Sequence, residues 1–462
     1  MDPRGAAQNG MRLALVKPPE ASAFNFGAFS LAVLAAAVRD LAEVSILDLS
    51  DLPLDRAVSA ALPGRPHAVG VTVMGLASVG PAAEFVRRLR AAGPQEGAGR
   101  LTILAGGHGA STVPGPLLRA GADAVVFGEG EATLRDIVQH GVGPGLPGTA
   151  CLDGGRLVLG PPRPPIRPLG RIGPPARDLM PPPPDGVHLL ETSRGCPHAC
   201  TFCETTRFYG TLWRPHTPPR VADEVRRLVN DYGAWTIQFA DDNFTCSPQR
   251  VLEICERLCR GPLPALILAF ARADNLLADP RLIPALARAR VLRVTVGVET
   301  LEEGVARRAG KPIPLETYRE AFSRLREAGA FSVASFIVGL PGESPEMRRR
   351  AVELAVEAGP DSAHFLPFIP LPGTPLAGGG ATPRALDAEV PRPDHRDAAD
   401  ARRLTAEFRR HPAVLDRLAR AAGEGGVRGL LARAALERYR EAGRSRREAP
   451  GGAGPRAAGR GG

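Results

Sequence analysis

The chain has 462 residues, room for two or three domains, and its 44% apolar and 23% charged residues are those of an ordinary globular protein rather than a disordered or fibrous one. A formal charge of +9 does not by itself call for nucleic acid: the only lysines are Lys17 and Lys311, so nearly all the basic charge is arginine, and an anionic small molecule accounts for it equally well. The apolar run LAVLAAAV (31–38) is far short of the roughly 20 residues that span a bilayer, no segment reads as a signal peptide, and seven cysteines do not make a disulfide framework, so a reducing cytoplasm is the expected location.

Taken in chain order, MRLALVKPP (11–19) reads as a buried strand closed by two prolines. A helix pattern follows at 29–41, then strands at 44–50 and 67–75, an amphipathic helix at 79–93, strands at 101–109 and 123–131, and a helix at 132–139. Apolar strands alternating with helices predict a doubly wound, Rossmann-like parallel sheet over 11–140. From 141 to 185 glycine and proline dominate, which predicts an extended linker without regular ladders. A second alternation then begins, with strands at 187–192, 235–241, 266–272, 291–299, 331–340 and 362–369 and helices between them. Six β/α units over 186–376 are too few for an eight-stranded barrel and predict a partial, open (β/α)6 barrel. A helical extension over 377–442 and a disordered tail over 443–462 complete this α/β chain.

The stretch RGCPHACTFC places Cys196, Cys200 and Cys203 directly after the first barrel strand. Three thiolates there can ligate three irons of a [4Fe–4S] cluster and leave the fourth open to a substrate chelate. A zinc site wants four tetrahedral ligands, and neither His198 nor His216 stands at the usual spacing. Cys255 and Cys259 sit at i, i+4 in an apolar helix and, with Cys246, read as core thiols rather than a second cluster.

This C-x3-C-x-F-C loop at the head of a (β/α)6 pattern resembles the radical S-adenosylmethionine (SAM) superfamily. The resemblance implies a [4Fe–4S] cluster on Cys196, Cys200 and Cys203 whose open iron chelates SAM, with Phe202 beside the adenine. It assigns further SAM contacts to Asp241 and Asp242 of FADDNF, Arg272 of FARADNL, Glu299 of GVET and Gly339 of FIVGLPGES. Asp241 and Asp242 fall where the superfamily holds the methionine amino group, Arg272 can meet a carboxylate, and Glu299 suits a ribose hydroxyl pair.

A doubly wound sheet binds ligands at the carboxyl ends of its strands. Here those ends carry Thr72, the run AGGHGAST with Gly106, Gly107, His108, Ser111 and Thr112, and FGEGE with Gly128, Glu129 and Gly130. No G-x-G-x-x-G follows the first strand, which disfavours a dinucleotide. GGHGAST and GEGE ahead of a radical SAM core resemble the cobalamin-binding domain fused to such cores, and the resemblance covers roughly residues 11–376. The histidine-ligating motif D-x-H-x-x-G is absent, so the resemblance implies base-off cobalamin without a protein histidine on cobalt, and His108 reads as a nucleotide-tail or turn residue. PPEASAFNFGAFSLAVLA departs from the family by several extra residues and by Phe24, Phe26 and Phe29, which could shape a lid or mark a domain that has lost cobalamin.

What this implies is a cobalamin-dependent radical SAM methyltransferase acting on an unactivated carbon of a small molecule. A low-potential donor of the flavodoxin or ferredoxin type would supply electrons, and neither nucleic acid nor a membrane is needed. An oxidative or ring-forming enzyme with the same cofactors, like the anaerobic cyclase of chlorophyll synthesis, and a non-catalytic cobalamin or redox sensor are the alternatives. A methylthiotransferase is disfavoured because the first 150 residues contain no cysteine.

Overall fold

The computed structural model describes residues 10–19, 28–94, 99–183, 185–378 and 389–444. Phe24 and Phe26, and the tail beyond Arg444, lie outside the described residues. Phe29 opens a helix and is buried.

The first half is one sheet built from β1 (Arg12–Lys17), β2 (Glu43–Asp48), β3 (Ala68–Thr72), β4 (Thr102–Gly106), β5 (Ala124–Val126), β6 (Thr149–Asp153) and β7 (Arg156–Leu159), in the order β2-β1-β3-β4-β5-β6-β7. β1 to β5 pair in parallel. Around them run α1 (Phe29–Val38), α2 (Leu54–Ala60), α3 (Val79–Ala92), α4 (His108–Thr112), α5 (Gly115–Arg119) and α6 (Glu131–His140). Leu31 and Ala35 of α1 pack with Leu134 and Ile137 of α6 in one core. Ala57 of α2, Phe85 and Leu89 of α3 and Leu117 of α5 fill another, so the sheet is covered on both faces and its strands read as continuous apolar runs.

Two expectations are corrected here. The strand expected over 101–109 ends at Gly106, and the chain turns into α4 through Gly107 at φ 107°. The segment 141–185, expected to hold no ladder, contains the β6–β7 hairpin, which extends the sheet antiparallel. Its turn is Gly154–Gly155, both with positive φ, the geometry that tight hairpins require. The surrounding prolines outweighed the short run TACLDGGRLVL in the composition of the segment.

The second half is a six-stranded, all-parallel, open sheet in the order β15-β14-β13-β12-β11-β8. It runs from β8 (Val187–Leu190) through the two-residue pair β9 (Ser193–Arg194) and β10 (Arg214–Pro215), with α7 (Glu204–Tyr209) between them. Then come α8 (Pro218–Tyr232), β11 (Thr236–Phe239), α9 (Pro248–Leu258), β12 (Leu266–Ala271), α10 (Ala273–Leu277) and α11 (Leu282–Arg288). β13 (Val291–Glu299), α12 (Glu303–Arg308), α13 (Leu315–Glu327), β14 (Phe331–Val338), α14 (Pro345–Ala358) and β15 (Ser362–Pro367) complete the alternation.

The C-terminal helices α15 (His395–Arg410), α16 (Pro412–Gly423) and α17 (Gly426–Arg444) are part of this barrel. Leu404 and Phe408 of α15, Leu418 of α16 and Leu436 of α17 share its core. α15 packs on β15 as the barrel's sixth helix, so that helix falls past residue 376. Arg428 of α17 pairs with Asp361, buried just before β15, at 2.8 Å. No helix among the described residues is long and apolar enough to cross a membrane.

Candidate functional site

The thiol loop runs from β9 to α7. Gly195 takes φ 81°, and a β-carbon there would collide with the Leu212 carbonyl, so only glycine turns the chain into Cys196. The loop is held from outside: Thr201 N donates to Ala309 O at 3.0 Å, Thr201 Oγ1 donates to Arg308 O at 2.8 Å, and Leu376 N donates to Thr201 O at 3.1 Å. None of the three cysteines is in a disulfide; Cys200 is buried while Cys196 and Cys203 are half-buried.

Burial raises the Cys200 and Cys203 thiols above their ordinary range, whereas the hydrogen-bonded Cys246 thiol draws Cys196 down to about 7. Among the described residues no three His, Cys, Asp or Glu side chains converge as one metal ion would need. An iron–sulfur cubane takes one thiolate per iron, and the three thiols of this one short loop can supply three of them. The donor set fits the cluster.

Cations face this loop. Arg272 Nη1 lies 3.7 Å from Cys200 Sγ, and its other nitrogens grip Asp274 at 2.8 and 3.1 Å. Lys311, 6% exposed, donates to Glu299 Oε1 at 2.9 Å and bears electrostatically on Cys200. Glu299 ends β13 at φ 67°, a left-handed conformation rare for a glutamate, which folds its carboxylate back over Gly297.

The other strand ends differ in how much they leave free. Asp242 accepts from Thr205 Oγ1 at 2.6 Å, and burial raises its carboxyl. Asp241 is turned inward: it accepts from Thr192 N at 2.8 Å, Thr192 Oγ1 at 2.6 Å and Ser193 Oγ at 2.5 Å, stitching β11 to the start of the loop. Gly339 N donates to Glu343 Oε2 at 2.6 Å, and Phe202 is half-buried.

On the N-terminal sheet, Gly107 is pressed so close to β3 that a β-carbon would sit 2.6 Å from Val73 O. α4 then abuts α7. His108 stacks on Phe208 with centroids 4.0 Å apart and lies 3.9 Å from Glu204, while Arg207 Nη1 donates to Thr112 Oγ1 at 2.9 Å. Burial, helped by Arg207, lowers the His108 imidazole to about 4, so it is neutral at pH 7. Ser111 Oγ is buried without a partner, Thr72 is buried, and Gly106, Gly128 and Gly130 lie at the same edge. Of the residues expected around cobalamin, His108 and Thr112 thus touch the helix that begins straight after Cys203.

Glu129 is committed elsewhere. Its carboxylate meets Arg194 at 3.0 Å and Arg214 at 2.8 Å and accepts from Ile166 N at 2.6 Å. Arg194 also pairs with Glu131 at 2.7 Å and Glu191 at 2.8 Å. This buried network joins the two sheets beside Cys196, and sequence reasoning missed it, as it missed Lys311 and the contact of Cys246 with Cys196. The position of Arg194, two residues before Cys196, and the scarcity of lysine were the available signals.

The described arrangement agrees with comparisons to known proteins. A family model for the B12 binding domain matches residues 22–138, and one for the Radical SAM superfamily matches 190–355. An uncharacterised methyltransferase of Pyrococcus horikoshii is 29% identical over 79% of this chain and 82% of its own length. The anaerobic magnesium-protoporphyrin IX monomethyl ester cyclase of Rubrivivax gelatinosus is 29% identical over 60% of this chain, which spans only 52% of that protein. Among solved structures, the radical SAM methyltransferase TsrM of Kitasatospora setae, with cobalamin and a [4Fe-4S] cluster bound, superposes with a TM-score of 0.70 at 19% identity, covering 94% of this chain and 100% of that one.

Proposed function

We propose a function for this chain from the premise that it belongs to the radical SAM enzymes that carry a B12-binding domain: it transfers a methyl group from SAM to an unactivated carbon of a small molecule. The observation that carries the reading is the contact of α4 with α7, which sets the glycine-rich edge of one sheet against the thiol loop of the other. When bound, the cluster supplies the electron that cleaves SAM to methionine and a 5′-deoxyadenosyl radical, and cobalamin supplies a carrier for the methyl group.

The chain's own residues then have definable roles. Cys196, Cys200 and Cys203 would hold the cluster, and Arg272 and Lys311 would offset negative charge at Cys200. Asp242 would be the freer carboxylate for the SAM amino group, because three donors already occupy Asp241 and one occupies Asp242. Glu299 would meet the ribose, with Phe202 and Gly339 beside the adenine. Thr72, Gly106, Gly107, Gly128 and Gly130 would give cobalamin a close approach to backbone, and Ser111 has a free hydroxyl to offer it. Neutral His108, stacked on Phe208, forms a wall rather than a cobalt ligand. A low-potential flavodoxin- or ferredoxin-type donor would deliver electrons, in the cytoplasm.

The test uses anaerobically reconstituted protein given hydroxocobalamin, SAM and a low-potential reductant. Retained cobalamin, with both S-adenosylhomocysteine and 5′-deoxyadenosine formed, is the expected outcome. Deoxyadenosine alone would overturn methyl transfer and favour an oxidative or ring-forming reaction.

A further inference from the structure

Where the two halves touch, two side chains of α7 keep hydrogen-bonding capacity in reserve. Glu204 and Arg207 stand three residues apart on that helix. The same spacing closes an ion pair on α13 and on α14, where Glu316 meets Arg319 at 3.3 Å and Glu346 meets Arg349 at 2.6 Å. Among the described residues, Glu204 and Arg207 make no such pair with each other. Thr112 of α4 takes the arginine instead: Arg207 Nη1 donates to Thr112 Oγ1 at 2.9 Å, and Glu204 Oε1 stands 3.4 Å from the same oxygen. A β-carbon on Gly373, in the loop after β15, would lie 2.8 Å from Arg207 Nε, so the guanidinium is held between α4 and that loop.

Thr112 cannot serve both groups as a donor. A hydroxyl carries one hydrogen, and Thr112 gives its own to the His108 carbonyl at 2.8 Å, a better distance than the 3.4 Å to Glu204. His108 Nδ1, 3.9 Å from Glu204, is too far away to donate. The Glu204 carboxylate is thus left without a firm donor, and its side chain is 25% exposed, open rather than sealed. Arg207 spends a hydrogen on a neutral oxygen, and its Nε is buried without an acceptor. An acceptor and a donor that neighbour one hydroxyl, and do not neutralise each other, match a ligand group of no net charge that carries both functions. A primary carboxamide is such a group: its oxygen accepts and its nitrogen donates.

We propose that Glu204 and Arg207 bind a carboxamide of cobalamin, its nitrogen donating to Glu204 and its oxygen accepting from Arg207. The corrin ring carries primary amides around its rim, and its propionamides, on the longer arms, reach furthest beyond the ring edge. Both side chains meet α4 at Thr112, and α4 lies within the B12-binding domain and carries His108 and Ser111 as well. The barrel then supplies part of the cobalamin site, from the residue next to Cys203 and from one nearly a turn later. Hydrogen bonds to charged partners are the stronger ones, so a neutral amide gripped by a carboxylate and a guanidinium is held firmly and in one orientation. This site rests on the binding of cobalamin at that edge and is independent of which group is methylated.

The test is a spectroscopic titration of the anaerobically reconstituted full-length protein with hydroxocobalamin and with each of its propionamide monoacids, in which one arm ends in a carboxylate. Such an acid lacks the amide hydrogens and sets a second negative charge against Glu204. One monoacid is therefore expected to bind at least about tenfold more weakly than hydroxocobalamin and the other monoacids, the equivalent of one charged hydrogen bond. Glu204→Gln offers an amide hydrogen to that carboxylate and should bring the same monoacid to within about threefold of hydroxocobalamin, with iron content unchanged. Arg207→Met should weaken hydroxocobalamin itself by about tenfold. The wild-type comparison needs no variant, so it stands even where a variant fails to fold. Equal binding of hydroxocobalamin and every monoacid by the wild-type chain, or a monoacid defect that Glu204→Gln leaves untouched, would overturn the proposal and leave the pair to an amide of the substrate. Binding of none of them would overturn cobalamin binding along with it.

Discussion

The two parallel sheets present their carboxyl ends with opposite chemistry. The N-terminal sheet ends in glycines and hydroxyls, and the one charged group expected to serve a ligand there, Glu129, is spent on Arg194 and Arg214. The barrel sheet ends in thiols, carboxylates and cations: Cys196, Cys200, Asp242, Arg272, Glu299 and Lys311. A doubly wound sheet is covered on both faces, so a ligand reaches only its edge and is met by backbone and small side chains. An open barrel has a concave inner face, so side chains from several strands can converge on one ligand. The first geometry suits a large flat cofactor, the second a small polar one.

Mutations should separate these two designs. Cys200→Ser is expected to abolish the cluster, taking reconstituted iron from about four per chain to less than one, while leaving cobalamin retention intact; iron analysis and the cobalamin spectrum would read both. Loss of cobalamin as well would mean the two halves are not independent. Arg194→Met leaves Glu129, Glu131 and Glu191 without their shared cation, and breaking such a buried network should cost about 3 kcal/mol in denaturant unfolding. Asp241→Asn cannot accept all three donors equally well and should cost about 2 kcal/mol. A larger loss of SAM binding than of stability in that variant would return Asp241 to the SAM site.

The interface between the halves should show in pH. His108 titrates near 4 when folded and near 6.5 when unfolded, so the folded chain binds fewer protons between these values. Stability is therefore complete above pH 6.5 and falls as the pH drops toward 4. With about a quarter of the side chain exposed, and with the raised Glu204 carboxyl opposing the trend, the loss should be about 1–2 kcal/mol. His108→Phe keeps the stack on Phe208 and should flatten that slope. The smallest effect belongs to Cys255→Ala, about 1 kcal/mol with iron content unchanged, because that thiol is plain core.

The repeated β/α alternation was legible because buried parallel strands must be apolar throughout, and the three-cysteine loop because its chemistry is local. The β6–β7 hairpin was not legible in a segment rich in proline, although Gly154–Gly155 marked it. The sequence by itself determined the two sheets, their order along the chain and the place of the three-cysteine loop, since each depends on residues within one turn or strand. Only the tertiary structure decided that Asp241 faces inward, that Glu129 serves Arg194 and that Cys246 meets Cys196. Those facts depend on which charges meet across strands and helices far apart in the chain, and no local pattern encodes that.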